Sequence, residues 1–244
     1  MTKKKTFGKK CRRFIFRSLL YIILGFFVFT LSSVFVYKYV PVYYTPLMFI
    51  RQMQAWQTGE HLHIRKEWVP IQQISPNMVR AVIASEDNLF THHWGFSQKA
   101  IQQAWEDNKS GKRIRGGSTI TQQTAKNVFL TPSRTYVRKA FELYYSLLIE
   151  CIWGKERIME VYLNVIEMGD GIFGVEAASE IYFNTTAKNL TKSQSALLAV
   201  CLPNPHKMSP AHPSAYVRKR QAQILVLMPK LGKIELVRTP LERR

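Results

Sequence analysis

The longest apolar stretch of the chain lies near its beginning. Residues 18–37, SLLYIILGFFVFTLSSVFVY, carry no charged side chain over twenty positions. This length is typical of one helical membrane crossing. A cleaved signal peptide, the alternative, would have a shorter apolar core and a small-residue cleavage site. Because aromatic residues typical of a membrane interface follow instead, we predict an uncleaved transmembrane helix over 18–37.

Helical spacing dominates the rest of the chain. The stretch HLHIRKEWVPI alternates between apolar and polar positions like one short strand. Ser75 and Pro76 suit the cap and first position of a helix over 76–86. The remaining apolar spacing predicts helices over 97–108, from about Ser118, and over 133–153, 155–166, 174–183, 191–202 and 213–231. The strand signal is too weak for a parallel sheet, so we expect a mainly α fold.

Two predicted helices have apolar stripes, and both stripes are expected to face the core. In the helix over 133–153 the stripe consists of Val137, Phe141, Tyr144, Leu148 and Ile152. In the next helix it consists of Ile158, Val161, Tyr162 and Val165. Between the second and third helices, residues 108–117 form a basic, glycine-containing segment that we predict to be a mobile loop.

The chain length allows one globular domain plus an appendage. Its 244 residues are enough for one core. Pro41 and Pro46 break the chain after the apolar span. We therefore predict a basic tail at 1–17, the transmembrane helix at 18–37, a membrane-proximal linker with a short strand at 38–75, and the main domain at 76–235.

The net charge of +19 points to an anionic partner: nucleic acid, a membrane surface or a phosphorylated substrate. The positive-inside rule places the basic N-terminus in the cytoplasm and the domain beyond the span outside it. That location argues against nucleic acid. Cys151 and Cys201 stand in apolar surroundings and are predicted to be buried free thiols, with a disulfide as the alternative. Eight cations precede residue 18, namely Lys3, Lys4, Lys5, Lys9, Lys10, Arg12, Arg13 and Arg17.

A polar segment, RGGSTITQQTAKN, interrupts the helical pattern at residues 115–127. Thr119 and Gln122 have the spacing of a capping box at a helix start. Such a start presents free N–H groups and a positive dipole end, which together favour phosphate. An ordinary capped, solvated helix is the alternative. The donors and cations that favour the anion site are Ser118, Thr121, Gln122, Gln123, Lys112, Arg113, Arg115, Lys126 and Arg134.

Two carboxylate positions suit catalysis. Glu86 and Asp87 end an apolar helix, where burial favours a general base or acid; an exposed acidic turn is the alternative. Arg134, Arg138 and Glu142 step by four along one helix. This second row is either a structural ion-pair row or an active carboxylate with phosphate-binding arginines, and the spacing alone leaves both open.

Other motifs favour no further chemistry. Gly169, Gly171 and Gly174 have the dinucleotide-fingerprint spacing, but that fingerprint requires a preceding strand and a helix is predicted there. We expect these glycines to shape a turn. The histidine pairs at 61/63 and 92/93 lack the surrounding pattern of a metal site.

Five segments, taken together, resemble the five motifs of glycosyltransferase family 51, the peptidoglycan transglycosylases. In chain order they are EDNLFTHHWG, RGGSTITQQTAKN, RKAFE, KERIMEVYLN and GDGIFGVEAASEIYF. With one anchor and no penicillin-binding domain, the chain resembles the monofunctional type. The resemblance implies a mainly α, lysozyme-like domain with a small membrane-proximal lobe, preceded by one N-terminal transmembrane helix.

The resemblance also implies an activity, the polymerisation of lipid II into glycan strands with inversion and release of undecaprenyl pyrophosphate. Glu86 matches the catalytic base and Glu142 the second glutamate, which assists at the pyrophosphate. Matched substrate-side positions are Ser118, Thr121, Gln122, Gln123, Lys126, Arg134 and Arg138. Residues that match shaping positions of the first motif are Asp87, Phe90, His93 and Gly95.

Cofactor, partners and location follow from the same resemblance. No cofactor is firmly implied, although a divalent cation, Mg²⁺ or Mn²⁺, could assist at the substrate pyrophosphate. The expected partners are lipid II, the growing glycan strand, membrane lipids and other cell-wall synthesis or division proteins. The expected location is the cell inner membrane, single-pass, with a periplasmic catalytic domain. A lysozyme-like hydrolase and a non-enzymatic anchored scaffold are the rival hypotheses.

Overall fold

The computed structural model describes residues 3–59, 62–96, 118–133 and 135–236, with side chains from residue 12 onward. The helix predicted over 97–108, the loop predicted over 108–117, His61 and Arg134 lie outside the described residues. The chain divides after Val40 into two units, which are described separately.

The N-terminal unit is one helix, α1 (Lys3–Tyr39). Its segment Arg12–Tyr39 has a mean hydropathy of 2.4, so the helix is long and apolar enough to cross a membrane. The helix begins inside the basic segment at 1–17, ahead of the predicted span. Lysine and arginine are good helix formers, so charge does not end the helix where the apolar run begins.

The second unit, from Pro41, is mainly helical, as predicted. The helix over 76–86 has the predicted bounds, with the Ser75 hydroxyl accepting from Asn77 N–H as its cap. Its helices are α2 (Pro46–Thr58), α3 (Pro76–Glu86), α4 (Ile120–Phe129), α5 (Tyr136–Ile152), α6 (Gly154–Val165), α7 (Val175–Phe183), α8 (Lys192–Cys201) and α9 (Ala215–Leu227). Helix α4 packs against α5 and α6, while α8 packs against α3 and α9.

A three-stranded sheet completes this unit, in the order β1 (Arg65–Lys66), β3 (Ile172–Phe173), β2 (Glu167–Gly169). The predicted short strand corresponds to β1, which pairs in parallel with β3. Strands β2 and β3 pair as an antiparallel hairpin that was not predicted. They contain two or three residues each, too few for alternation to identify them. The predicted turn between helices is therefore a short hairpin.

Gly174 fixes the junction between β3 and α7. Its φ is +82°, and a Cβ there would lie 2.8 Å from the carbonyl oxygen of Asn164. Only glycine fits both conditions easily. The Asn164 side chain in turn holds Val69, accepting from its N–H at 2.9 Å and donating to its carbonyl at 2.8 Å. Gly174 thus lets the start of α7 lie against the end of α6, at the residue that holds Val69.

The apolar stripe of α6 is buried as predicted, but the stripe predicted for α5 is wrong. Val137 and Phe141 are exposed, and the buried side of α5 instead carries Glu142, Tyr145, Ser146, Ile149 and Glu150. Two buried carboxylates therefore occupy a face that apolar spacing assigns to solvent. The same rotation exposes Cys151, whereas Cys201 on α8 is buried; both are free thiols.

Candidate active site

Glu86 is the last residue of α3 and lies beside α4. Its Oε2 accepts from Gln123 Nε2 at 3.0 Å, and its Oε1 accepts from the Ser85 hydroxyl at 3.2 Å. Burial raises the pKa of Glu86 above 4.5, against the opposing effect of these two hydrogen bonds. A carboxylate with a raised pKa and a fixed orientation can accept a proton at neutral pH.

Gln123 is itself held by a buried tyrosine on α6. The Tyr162 hydroxyl donates to Gln123 Oε1 at 3.3 Å, and the tyrosine is fully buried. This contact identifies the amide oxygen, so the amide nitrogen must face Glu86. Burial raises the pKa of Tyr162 well above 10, and the charges of Glu86 and Asp87 add to the effect, which keeps the phenol protonated as a donor.

Asp87 has a structural role, because its carboxylate is engaged in hydrogen bonds within the protein. Both of its carboxylate oxygens lie 2.9 Å from His93 Nε2, and Oδ2 also accepts from the backbone N–H of Ile120 at 3.1 Å. The carboxylate therefore joins the end of α3, the turn after it and the start of α4. These contacts leave Glu86 as the carboxylate of this pair that is available for proton transfer.

The start of α4 has the predicted capping box. The Thr119 hydroxyl accepts from Gln122 N–H at 3.2 Å, and Gln122 Oε1 accepts from Thr119 N–H at 3.2 Å. The prediction that this helix start is open to phosphate needs correction, because the Ile120 N–H already binds Asp87. The protein's own carboxylate occupies the positive end of the helix dipole.

Cations gather instead around Glu142 on α5. Arg138 binds Glu142 Oε2 and Lys139 binds Oε1, while the carboxylate is buried at 4% side-chain exposure. Burial lowers the pKa of Lys126 on α4; Glu142 acts in the opposite direction, and Arg138 and Lys139 lower it further. Lys126 therefore lies close enough to this group to feel its charge. Three cations surround one carboxylate, which leaves a net positive surface suited to phosphate.

A second buried ion pair links the helix that carries Glu142 to the turn that follows Glu86. Lys155 Nζ contacts Glu150 Oε1, with side-chain exposures of 1% and 0%. The Thr121 hydroxyl donates to the same oxygen at 2.7 Å, and Lys155 Nζ lies 4.3 Å from the centre of the Phe90 ring. The pair therefore ties α4, α5 and α6 to the turn after α3.

The structure places several of the predicted site residues. Thr121 and Gln122, whose match implies substrate contacts, are buried; the Thr121 hydroxyl donates to Glu150, and Gln122 completes the capping box of α4. Phe90 is buried, with its ring facing Lys155 Nζ. Ser118 is partly exposed just before the capping box. Arg134 lies outside the described residues.

Sequence reasoning missed four residues of this arrangement. Lys139 lies within the RKAFE segment, but the row of residues spaced by four in that region includes Arg138 and Glu142 and not Lys139. Tyr162 appears in sequence only as a core position of a helical stripe. Glu150 and Lys155 are separated by five positions across a helix junction, a spacing that indicates no contact. Their pairing follows from the turn at Gly154, where φ is +78°.

Comparison with known proteins gives a consistent result. Residues 53–229 match the family model described as transglycosylase. The chain is 52% identical over 217 residues to "Biosynthetic peptidoglycan transglycosylase" of Bacteroides thetaiotaomicron, covering 88% of each chain. It is 52% identical over 203 residues to the protein of the same name from Bdellovibrio bacteriovorus, covering 83% of this chain and 81% of the relative. Against that of Escherichia coli O127:H6 it is 47% identical over 221 residues, covering 90% and 91%.

Proposed function

Since the chain belongs to the transglycosylase family and is a peptidoglycan glycosyltransferase of cell wall synthesis, we propose that Glu86 is the general base of an inverting transfer between lipid II and the growing glycan strand. The observation that carries this assignment is the buried Glu86 carboxylate with a raised pKa, oriented by Gln123. Its neighbour Asp87 is held in structural contacts and leaves this role to Glu86.

The chemical step balances around one proton and one leaving group. Glu86 accepts the proton of the 4-hydroxyl of the acceptor's N-acetylglucosamine. As that proton leaves, the oxygen attacks C1 of the donor's N-acetylmuramic acid. The bond from C1 to the phosphate oxygen breaks on the opposite face, so the configuration at C1 inverts. The bonding electrons leave with undecaprenyl pyrophosphate, whose charge must then be stabilised.

Arg138, Lys139 and Lys126 supply that stabilisation in this proposal. Each can donate a charge-assisted hydrogen bond to phosphate oxygens. The buried Glu142 carboxylate holds Arg138 and Lys139, and Lys126 lies near enough for these charges to affect its pKa. Glu142 therefore acts by holding the cations. Its two oxygens already face Arg138 and Lys139, so it is a poor ligand for Mg²⁺ or Mn²⁺. We accordingly propose that side-chain cations, rather than a divalent ion at Glu142, balance the pyrophosphate.

The proposed location follows from the N-terminal helix. The segment Arg12–Tyr39 is compatible with a single-pass membrane protein. The cluster of cations ahead of it favours a cytoplasmic N-terminus, which would put the catalytic unit on the periplasmic face of the inner membrane. There it would meet a substrate whose lipid tail stays in the bilayer.

Purified full-length protein in detergent, incubated with labelled lipid II, tests this assignment. We expect the wild type to make polymer, and Glu86→Gln to lose roughly 10²- to 10⁴-fold in rate, the usual contribution of a general base. Glu180→Gln, at an exposed glutamate on α7, is the matched control. Full activity of Glu86→Gln would disprove its role. Cleavage of preformed glycan without polymer would favour the hydrolase, and no turnover by the wild type would favour the scaffold.

A further inference from the structure

A cluster of ionisable side chains lies outside the catalytic arrangement, where the β2–β3 hairpin meets the loop between α8 and α9. It consists of Glu167 on β2, Asp170 in the hairpin turn and His206 in the loop. His206 Nε2 lies 3.3 Å from Glu167 Oε1, and His206 Nδ1 lies 3.4 Å from Asp170 Oδ1. One ligand atom from each residue can be chosen so that all three lie within 4.8 Å of one another.

One oxygen of this cluster has an unsatisfied lone pair. The Glu167 side chain is only 7% exposed, and its Oε1 is buried without a hydrogen bond among the described residues. That oxygen faces His206. Leaving a buried carboxylate oxygen without a donor is costly. The unsatisfied oxygen therefore points to a ligand that arrives from the His206 side.

A cationic side chain already stands next to this position. Arg51 on α2 donates from Nη2 to Glu167 Oε2 at 3.3 Å, and the same nitrogen contacts His206 Nε2. Its own Nε is buried without a partner among the described residues. Glu167 faces the guanidinium and Asp170 faces His206. With two carboxylates and one guanidinium, the group keeps a net negative charge when His206 is neutral. The guanidinium stands where a metal cation would balance that charge.

We propose that Glu167, Asp170 and His206 form a binding site for a divalent transition-metal ion of the Zn²⁺ class, and that Arg51 competes with the ion for it. An imidazole nitrogen with two carboxylate oxygens suits Zn²⁺ or Mn²⁺ better than Mg²⁺ or Ca²⁺, which prefer oxygen ligands alone. In tetrahedral coordination, ligand atoms about 2.1 Å from Zn²⁺ are about 3.4 Å apart. Since the three atoms already lie within 4.8 Å of one another, each separation needs to shorten by about 1.4 Å at most.

The bound ion would cross-link parts of the chain that are far apart in sequence. Glu167 and Asp170 belong to the hairpin, whereas His206 follows α8 by several residues. The ion binds the folded arrangement of these ligands, so it would raise thermal stability. This site shares no residue with the cluster at Glu142, and no step of the proposed transfer passes through it.

Equilibrium dialysis of the purified full-length protein against Zn²⁺, with metal analysis of the protein fraction, tests the proposal. We expect the wild type to bind about one Zn²⁺ per chain. His206→Asn should bind it at least tenfold more weakly. His212→Asn, the matched control at another exposed histidine, should bind it as the wild type does. Arg51→Gln should bind Zn²⁺ several-fold more tightly, because the competing charge is gone.

The thermal midpoint gives a second measurement that is independent of activity. Zn²⁺ should raise the midpoint of the wild type and of His212→Asn, and leave that of His206→Asn unchanged; Mg²⁺ should have little effect on any of them. Without metal the three proteins should unfold at similar temperatures, since both histidines are exposed. Equal Zn²⁺ affinity in His206→Asn and wild type, or weaker binding in Arg51→Gln, would overturn the proposal.

Discussion

The Gln123 side-chain amide donates to Glu86 Oε2 at 3.0 Å, and its other end, the amide oxygen, is held as well. The Tyr162 hydroxyl occupies the amide oxygen at 3.3 Å, which sets which end of the amide faces the carboxylate. Tyr162 therefore orients Glu86 through Gln123 without touching it. A hydrogen bond to the ionised form of an acid lowers its pKa, so this chain opposes the rise caused by burial.

Tyr162→Phe should weaken catalysis without removing the base. Without the hydroxyl the amide can turn over, so the stabilisation of ionised Glu86 falls. We expect kcat/KM to drop roughly 5- to 30-fold, from a loss of about 1–2 kcal/mol. The acid limb of its pH profile should move to higher pH. Measured rates of lipid II polymerisation between pH 5 and 9 would check both effects.

Tyr182→Phe is the matched control for this substitution. Its hydroxyl donates to the Met168 carbonyl at 3.4 Å, and none of its described hydrogen bonds involves Glu86 or Gln123. It should leave the acid limb in place. If Tyr162→Phe lost stability but kept the wild-type pH profile, the tyrosine would be only a core residue.

Glu86→Gln should stabilise the protein while it slows catalysis. Burial raises the folded-state pKa of Glu86 above its ordinary value of 4.5. Between pH 4.5 and the folded-state pKa, the folded protein therefore holds a proton on Glu86 that the unfolded chain releases. The wild type therefore loses stability as the pH rises from about 4.5 through the folded-state pKa. The variant has no such loss, so its advantage should grow across this interval and then level off.

Thermal unfolding of wild type and Glu86→Gln from pH 4 to pH 9 measures this difference. Glu180→Gln, at an exposed position, should show no comparable trend. If the difference in stability between Glu86→Gln and the wild type became smaller as the pH rose, the buried-base assignment would be contradicted.

Lys126→Ala should weaken binding of the pyrophosphate-bearing donor. Lys126 is mostly buried beside Glu142, Arg138 and Lys139, so its ammonium meets phosphate with little water between them. Losing one charge-assisted contact costs about 1.5–3 kcal/mol, which is roughly a 10- to 150-fold increase in Kd. Calorimetry with a phosphoglycolipid donor mimic would measure it, with Lys188→Ala, at an exposed lysine, as the control. Unchanged affinity in Lys126→Ala would remove Lys126 from the site.

The sequence predicted elements well where local signals define them. From the cap at Ser75, the predicted first residue of α3 is the observed one. From the cap signals around Thr119, the predicted start of α4 lies two residues before the observed start. The buried face of α5 could not be predicted in this way, because Glu142 and Glu150 are buried by ion pairs and not by apolar character. The cation cluster also escaped prediction in part, since Lys126 and Lys139 come together only when α4 packs on α5. Local spacing finds caps and stripes, whereas tertiary pairing decides where charges are buried.

Lys155→Met should destabilise the fold strongly. It removes the cation paired with Glu150, a fully buried carboxylate that also accepts from the Thr121 hydroxyl. Removing one partner of such a pair costs about 3–5 kcal/mol. The double variant Glu150→Gln/Lys155→Met should recover part of that loss, since it removes the buried carboxylate whose charge Lys155 balanced. Thermal unfolding of the single and double variants would decide, and a double variant no more stable than Lys155→Met would refute the explanation.

Gly174→Ala and Gly59→Ala should separate steric crowding from backbone strain. Both glycines have positive φ, +82° and +74°, but a Cβ at Gly174 would lie 2.8 Å from Asn164 O, whereas one at Gly59 meets nothing within 4 Å. We expect Gly59→Ala to cost about 1–2 kcal/mol from strain alone. Gly174→Ala should cost roughly 2–4 kcal/mol, because crowding adds to strain and pushes on the residue that holds Val69. Chemical unfolding of both variants would measure the difference in their free energies of unfolding. Equal losses of stability would show that the backbone at Asn164 moves away from the new Cβ without an energetic penalty.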